Sequence, residues 1–164
     1  KDLSQSCILG FENSSFKNIL VMDGDLQHNP YDIPKVLKKF FNGDSDVVVG
    51  CRDFKSTKKN QLKLIRFIMS KLFIKMFNLT LGFKTSDPMS GFFIFKKRIF
   101  FESKKKMLKR GYKILADLIY SSNKNLKIDD VSINFEKRNF GKSKLNIKII
   151  YIILKFILIN FLKK

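Results

Sequence analysis

Asp23 and Asp25 stand one residue apart, directly behind the apolar run Ile19-Leu20-Val21-Met22. A short continuous run of this kind predicts a buried parallel strand. Two carboxylates at its carboxyl end can converge on one hard divalent cation, Mg²⁺ or Mn²⁺. Such a cation takes oxygen ligands and commonly shares them with substrate phosphates. Open α/β sheets bind their ligands at the carboxyl ends of strands, where this turn stands. The plain alternative is an acidic turn that caps the next helix.

Three further groups have phosphate chemistry within reach. Arg52 follows a second apolar run, Val47-Val48-Val49, and so falls at the same sheet edge as Asp25. Arg66 and Ser70 lie on one face of a predicted helix and interrupt its apolar stripe. An Arg fork matches phosphate oxygens, although a snorkelling Arg beside an inert Ser would fit the same pattern. Arg138 and Lys144 flank Gly141 on a basic segment that could be a solvated loop or could close over a diphosphate. His28 is the only histidine, and its place beside the acidic turn suits a neighbour better than a ligand. Cys7 and Cys51 lack metal-ligand spacing and read as reduced thiols. No Ser/His/Asp set supports hydrolysis.

These groups need a layered scaffold. Apolar runs alternate with longer helical segments, the signature of an α/β fold. Helices are expected over residues 3–11, 34–42, 61–78 and 112–122. Pro34 suits the first turn of the second helix. Leu62, Ile65, Met69, Phe73 and Phe77 form the apolar stripe of the third. Strands are expected at Ile19-Met22, Val47-Val49 and Phe92-Phe95. Val131, Ile133 and Phe135 alternate with polar residues, as in a half-buried strand. Residues 147–162 are almost wholly apolar but fall short of the roughly 20 needed to cross a bilayer. Lys148 and Lys155 share one helical face, which suits a helix lying in a membrane interface with its lysines toward anionic headgroups. A C-terminal core helix is the alternative.

The 164 residues suffice for one domain with a real core. A hydrophobic content of 45% excludes wholesale disorder. The net charge of +19 admits nucleic acid, anionic lipid or a phosphate-rich substrate as partner, or lysines that merely cover solvated faces. The sequence shows no aromatic-basic interleaving of the RNA-binding kind, so no nucleic-acid partner is expected. The chain opens on Lys1 with neither an initiator Met nor an apolar leader, which fits a fragment or a processed chain.

Three motifs, in order, carry a resemblance. Val21-Met22-Asp23-Gly24-Asp25-Leu26-Gln27-His28-Asn29-Pro30 resembles the metal-binding signature of family 2 glycosyltransferases, in the dolichol-phosphate mannose synthase branch. That branch usually reads D-A-D-L-Q-H-P-P, with Gly24 and Asn29 here as mild departures. Asp87-Pro88-Met89-Ser90-Gly91-Phe92-Phe93 resembles its D-P-x-S-G-F-F motif, and residues 134–145 its F-x-x-R-x-x-G-x-S-K-L signature. The resemblance spans nearly the whole chain.

It implies a GT-A, Rossmann-like α/β sandwich over residues 1–146, incomplete at its N-terminus, and an amphipathic juxtamembrane helix over 147–164. It implies metal-dependent, inverting transfer of a sugar, mannose from GDP-mannose first of all, to dolichol or polyprenol phosphate at the cytoplasmic face of a membrane. Asp23, Gly24 and Asp25 would hold the donor, and Asp25 with Gln27 the Mg²⁺ or Mn²⁺. Arg138 and Lys144 would close on the diphosphate. Arg52, Arg66 and Ser70 would hold the acceptor phosphate, and Asp87 would position it or act as base. The family's base-binding strands, with a P-x-Y/F-N-E type motif, have no counterpart here, so the 164 residues alone are expected to be inactive. Rival readings are a UDP-glucose or UDP-aminoarabinose donor on the same fold, or a non-catalytic basic fragment that binds membrane or nucleic acid.

Overall fold

The computed structural model describes residues 2–52, 64–111, 113–122, 125–136, 151, 154, 155, 157 and 158. For residues 64–67, 69, 80 and 81 only the backbone is described. In chain order the elements are α1 (Leu3–Asn13), β1 (Asn18–Met22), a 3₁₀ turn (Pro30–Asp32), α2 (Ile33–Phe41), β2 (Val47–Arg52), α3 (Leu64–Leu81), β3 (Phe92–Lys96), α4 (Lys97–Ser103), α5 (Ile114–Ser121) and β4 (Ile128–Ile133).

The strands form one four-stranded sheet in the order β1-β3-β2-β4. β3 runs antiparallel to both β1 and β2, whereas β2 and β4 are parallel. The carboxyl ends of β1, β2 and β4 therefore share one edge with the amino end of β3. The register confirms this: Met22 pairs with Phe92, and Arg52 with Ile133. This corrects the reading of β1 as a buried parallel strand. β1 pairs antiparallel with β3, and all five of its residues are only partly buried. Continuous apolarity signals burial on two faces but carries no information on strand direction.

Alternation along the inner strands builds a core on each face. Val47, Val49, Cys51, Phe93 and Phe95 face Ile8 and Phe11 of α1, Ile99 and Phe100 of α4, and Leu115, Leu118 and Ile119 of α5. Val48, Phe92, Ile94, Val131 and Ile133 face Val36 and Phe40 of α2. Each fully buried Phe contributes roughly 1.5–3 kcal/mol relative to an exposed one. Phe11 meets Phe95 and Phe100 edge to face, at centroid distances of 5.0 and 5.4 Å.

α3 packs outside this sandwich. Phe73 and Phe77 cluster with Ala116 of α5 and with Ile157, and Phe77 stacks on Tyr120. Residues 151, 154, 155, 157 and 158 are helical. Ile157 is buried, whereas Tyr151, Leu154, Lys155 and Leu158 are exposed. Among the described residues no helix is long and apolar enough to cross a membrane. α4 is absent from the sequence expectations because its seven residues are too few to develop a helical period.

Candidate active site

The edge where β1, β2 and β4 end gathers the chemistry. Asp23 leaves β1 with its backbone N–H donating to the Gly91 carbonyl at 3.0 Å. That hydrogen bond puts Gly91 directly against the Asp23 carboxylate, and a Cβ there would collide with it. The Ser-Gly step of the Asp87–Phe93 motif is thus a spatial requirement. The Ser90 hydroxyl donates to the Gly50 carbonyl at 2.6 Å and accepts from Phe92 N–H at 3.1 Å, which ties the loop to β2.

The acidic turn is braced at its other end. Asp25 Oδ1 accepts from the Gln27 N–H at 3.2 Å, and Leu26 takes a positive φ of 60° to make that turn. The Gln27 carbonyl accepts from Glu136 N–H at 2.8 Å, and Gln27 Nε2 donates to the Glu136 carbonyl at 3.1 Å. His28 pairs with Phe135 as an isolated β-bridge. The His28 ring is buried between Phe92 and Phe135, with Nε2 3.8 Å from Asp23 Oδ2. The turn is therefore fastened to Phe135 and Glu136, just beyond the end of β4.

Arg52, at the end of β2, turns its guanidinium onto Asp87. Nε donates to Oδ2 at 2.6 Å and a terminal nitrogen to Oδ1 at 2.8 Å, with a further hydrogen bond to the Ser70 hydroxyl at 3.3 Å. Asp87 is 1% exposed and Arg52 14%. Burial alone would make Arg52 easier to deprotonate, but the Asp87 charge outweighs it and holds the guanidinium ionised. Phe135 lies under the same guanidinium, 5.5 Å from its ring centroid.

The Asp87 loop has its own support. The Asp130 carboxylate of β4 accepts from the Thr85 hydroxyl at 2.5 Å and from Ser86 N–H at 2.7 Å. Thr85 Oγ1 in turn accepts from Asp87 N–H at 3.3 Å. Cys51 lies against Thr85, and its thiol is pushed well up by burial first and the Asp130 charge second, so it stays protonated.

The structure therefore brings Asp23, Gly24, Asp25 and Gln27 together on one turn, and Arg52, Ser70 and Asp87 together beside it. Arg66 lies on α3 one helical turn before Ser70, but its side chain is outside the described residues. Arg138, Lys144 and Lys148 also lie outside them. Sequence reasoning missed Thr85, Asp130 and Lys113. Lys113 stands at the head of α5, partly buried, in the fields of Arg52, Asp87 and Asp23. Its ammonium is pushed down to about 8, by burial first and the Arg52 charge second, against the opposing pull of Asp87 and Asp23. One lysine in a chain with 33 Lys and Arg gives no local signal. Only the path of the loop before α5 singles it out.

Among the described residues no group of three or more His, Cys, Asp or Glu side chains could enclose a metal by itself. The acidic turn offers hard oxygen donors from a short, braced loop. That suits Mg²⁺ or Mn²⁺, which protein sites usually hold through one or two carboxylates completed by substrate phosphates.

Residues 1–102 match the model of glycosyl transferase family 2. A dolichol-phosphate mannosyltransferase of Pyrococcus furiosus is 35% identical over 159 residues, covering 96% of this chain and 44% of that protein. One from Mycosarcoma maydis is 32% identical over 154 residues, covering 92% of this chain and 51% of its own length. The chain thus spans about half the length of the curated relatives it matches. Among solved structures, glucosyl-3-phosphoglycerate synthase from Mycobacterium tuberculosis superimposes with a TM-score of 0.68, at 11% identity, over 99% of this chain and 55% of that one. At that identity the likeness speaks for the fold, which is GT-A-like.

Proposed function

The chain belongs to glycosyl transferase family 2, and from that premise we propose that the protein transfers a sugar from a nucleotide donor to a polyprenol phosphate. The observation that carries this reading is the shared sheet edge: the braced acidic turn Asp23–Gln27 stands beside the Arg52–Ser70–Asp87 cluster. A turn suited to a diphosphate and a cluster suited to a phosphate, side by side, fit a reaction between two phosphate-bearing substrates. The relatives named dolichol-phosphate mannosyltransferase favour GDP-mannose as donor and dolichol or polyprenol phosphate as acceptor.

The reaction proposed is a single inverting displacement. The acceptor phosphate has a second pKa near 6, so it arrives as an anionic nucleophile and needs no base. Both Asp87 oxygens accept from Arg52, which favours a positioning role for Asp87 over proton abstraction. Asp23 and Gly24 hold the donor, while Asp25 and Gln27 would hold Mg²⁺ or Mn²⁺. When bound, that cation supplies Lewis-acid stabilisation of the departing diphosphate. A glucosyl-3-phosphoglycerate synthase structure containing Mn²⁺ and UDP-glucose supports the choice of a divalent ion on this fold. Arg138 and Lys144 follow in sequence the Glu136 that Gln27 holds, and their charges would serve the diphosphate. The remaining rate comes from holding oxyanion and anomeric carbon in line.

Residues 1–146 form the catalytic portion, and 147–164 an amphipathic helix at the cytoplasmic membrane surface. The exposed Tyr151, Leu154, Lys155 and Leu158 support that placement. The buried Ile157 would couple the helix to α3 and α5. The test is transfer of labelled mannose from GDP-mannose to added polyprenol phosphate, which Asp25→Ala should abolish.

A further inference from the structure

Asp130 stands where β4 should present an apolar residue. In the parallel register it pairs with Val49, and its neighbours on the same side, Ile128 and Ser132, pair with Val47 and Cys51. Val47, Val49 and Cys51 belong to the core beneath α1, α4 and α5, and Ile128 packs against it. A carboxylate in the middle of this row adds nothing to that core. Its partners lie instead in the loop between α3 and β3. Oδ1 accepts from the Thr85 hydroxyl at 2.5 Å and Oδ2 from the Ser86 N–H at 2.7 Å. Asp87, at the centre of the acceptor cluster, is the next residue.

We propose that Asp130 is a positioning residue for the lipid-phosphate acceptor, acting through Thr85 on Asp87 and Arg52. The proposal rests on the reading of the Arg52–Ser70–Asp87 cluster as the acceptor-phosphate site.

A hydroxyl carries one proton and an ionised carboxylate only accepts, so Asp130 fixes the direction of the Thr85 O–H. The Thr85 oxygen then keeps a lone pair for the Asp87 N–H, 3.3 Å away. Without Asp130 the alternative acceptor for that proton is the Cys51 sulfur, 3.7 Å from the same oxygen. Thr85 is buried, so the contact is shielded from competing water. Asp87 is thereby held twice: at its N–H by Thr85, and at its carboxylate by both prongs of Arg52. The Arg52 nitrogen that meets Asp87 Oδ1 also donates to the Ser70 hydroxyl. A displacement of the Asp87 backbone therefore passes directly to the guanidinium and to Ser70. Reacting groups tolerate little of this, since a misplacement of about 1 Å can cost roughly 10²-fold in rate. The donor side is anchored separately. Ser90 ties the far end of the loop to the Gly50 carbonyl, Gly91 accepts from Asp23 N–H, and Gln27 is held by Glu136. The effect of Asp130 is thus directed at the acceptor.

The test is a pair of KM values. Membranes from cells that express the gene are incubated with Mn²⁺, polyprenol phosphate and whichever labelled nucleotide sugar the unmodified protein uses, GDP-mannose first, and each substrate is varied in turn. Asp130→Ala should raise the KM for polyprenol phosphate about tenfold, the scale of a lost charge-assisted hydrogen bond, and leave the donor KM within about twofold. Asp130→Glu, which keeps the acceptor oxygens, should recover part of the loss. A merely structural residue would lower the maximal rate through the amount of folded enzyme and move neither KM. Two unmoved KM values in Asp130→Ala, or two raised equally, would therefore overturn the proposal and leave the transferase reading standing. Should Asp130→Ala not fold, Thr85→Val is read in the same way, because it removes the hydroxyl that carries the link. No transfer by the unmodified protein from any nucleotide sugar would overturn both.

Discussion

Asp87 and Arg52 form a two-pronged buried ion pair, with contacts of 2.6 and 2.8 Å between the end of β2 and the loop that leads into β3. The pair joins the two halves of the site, because Arg52 also holds Ser70 of α3 while the Asp87 loop continues to Gly91, against Asp23. Removing one partner takes from the other the counter-charge it meets at hydrogen-bond distance. Asp87→Ala should therefore cost about 3–5 kcal/mol of stability, the range for breaking such a pair. Urea unfolding of Asp87→Ala and Arg52→Met, singly and combined, checks this. The double variant should be less destabilised than the sum of the two single ones.

Gly91→Ala separates architecture from chemistry. The new methyl group would displace the Asp23 carboxylate, which is the mobile end of a half-exposed side chain. Stability should change little, while Mn²⁺-dependent binding of GDP should fall by about tenfold. Unchanged GDP binding would mean that Asp23 does not touch the donor.

Asp46 gives a pH signature away from the site. Its carboxylate accepts from Lys96 Nζ at 3.1 Å, an Arg98 terminal nitrogen at 2.6 Å and Lys127 N–H at 3.3 Å. Burial by itself would raise this carboxyl, but the hydrogen bonds from Lys96, Lys127 and Arg98 outweigh it and hold it below the ordinary value of 3.8. A depressed folded-state carboxyl contributes stability above its unfolded value and loses it as the pH falls through the folded value. Asp46→Asn should thus be less stable than the unmodified chain at neutral pH. The difference should shrink below about pH 4. Urea midpoints across that range provide the measurement, and a pH-independent difference would contradict the assignment.

The basic C-terminal segment predicts a salt-dependent membrane affinity. Lys148→Gln and Lys155→Gln should each weaken binding to phosphatidylserine vesicles about fivefold, since such lysines are worth about 1 kcal/mol apiece near an anionic surface. Vesicle co-sedimentation at low and high salt measures it. Equal binding to neutral vesicles would remove the electrostatic part of the account.

Much of this site was legible in the sequence because its residues sit at strand ends. Asp23 and Asp25 follow β1, Arg52 ends β2, and periodicity alone finds both strands. Ser70, singled out on α3 for interrupting its apolar stripe, accepts from Arg52 at 3.3 Å, whereas the Arg66 side chain lies outside the described residues. Strand direction was not legible, since β3 reverses the sheet with no change in its apolar pattern. Nor were Thr85, Asp130 and Lys113. Their roles depend on contacts across 45 residues, in the case of Thr85 and Asp130, or on a loop clamped by residues from α1 and its N-cap. The Gly in the Asp87–Phe93 motif could be recognised by resemblance, but its reason, the Asp23 carboxylate, is visible only in three dimensions.

Sugar transfer to a lipid phosphate is measured with membranes from cells that express the gene. They are incubated with Mn²⁺, polyprenol phosphate and labelled GDP-mannose, beside an Asp25→Ala control. Label should appear in the organic phase and disappear in the variant. Label from UDP-glucose in place of GDP-mannose would keep the mechanism and change the donor. No lipid-linked label from any nucleotide sugar, with folded protein present, would contradict the claim that this sheet edge transfers sugar to a lipid phosphate.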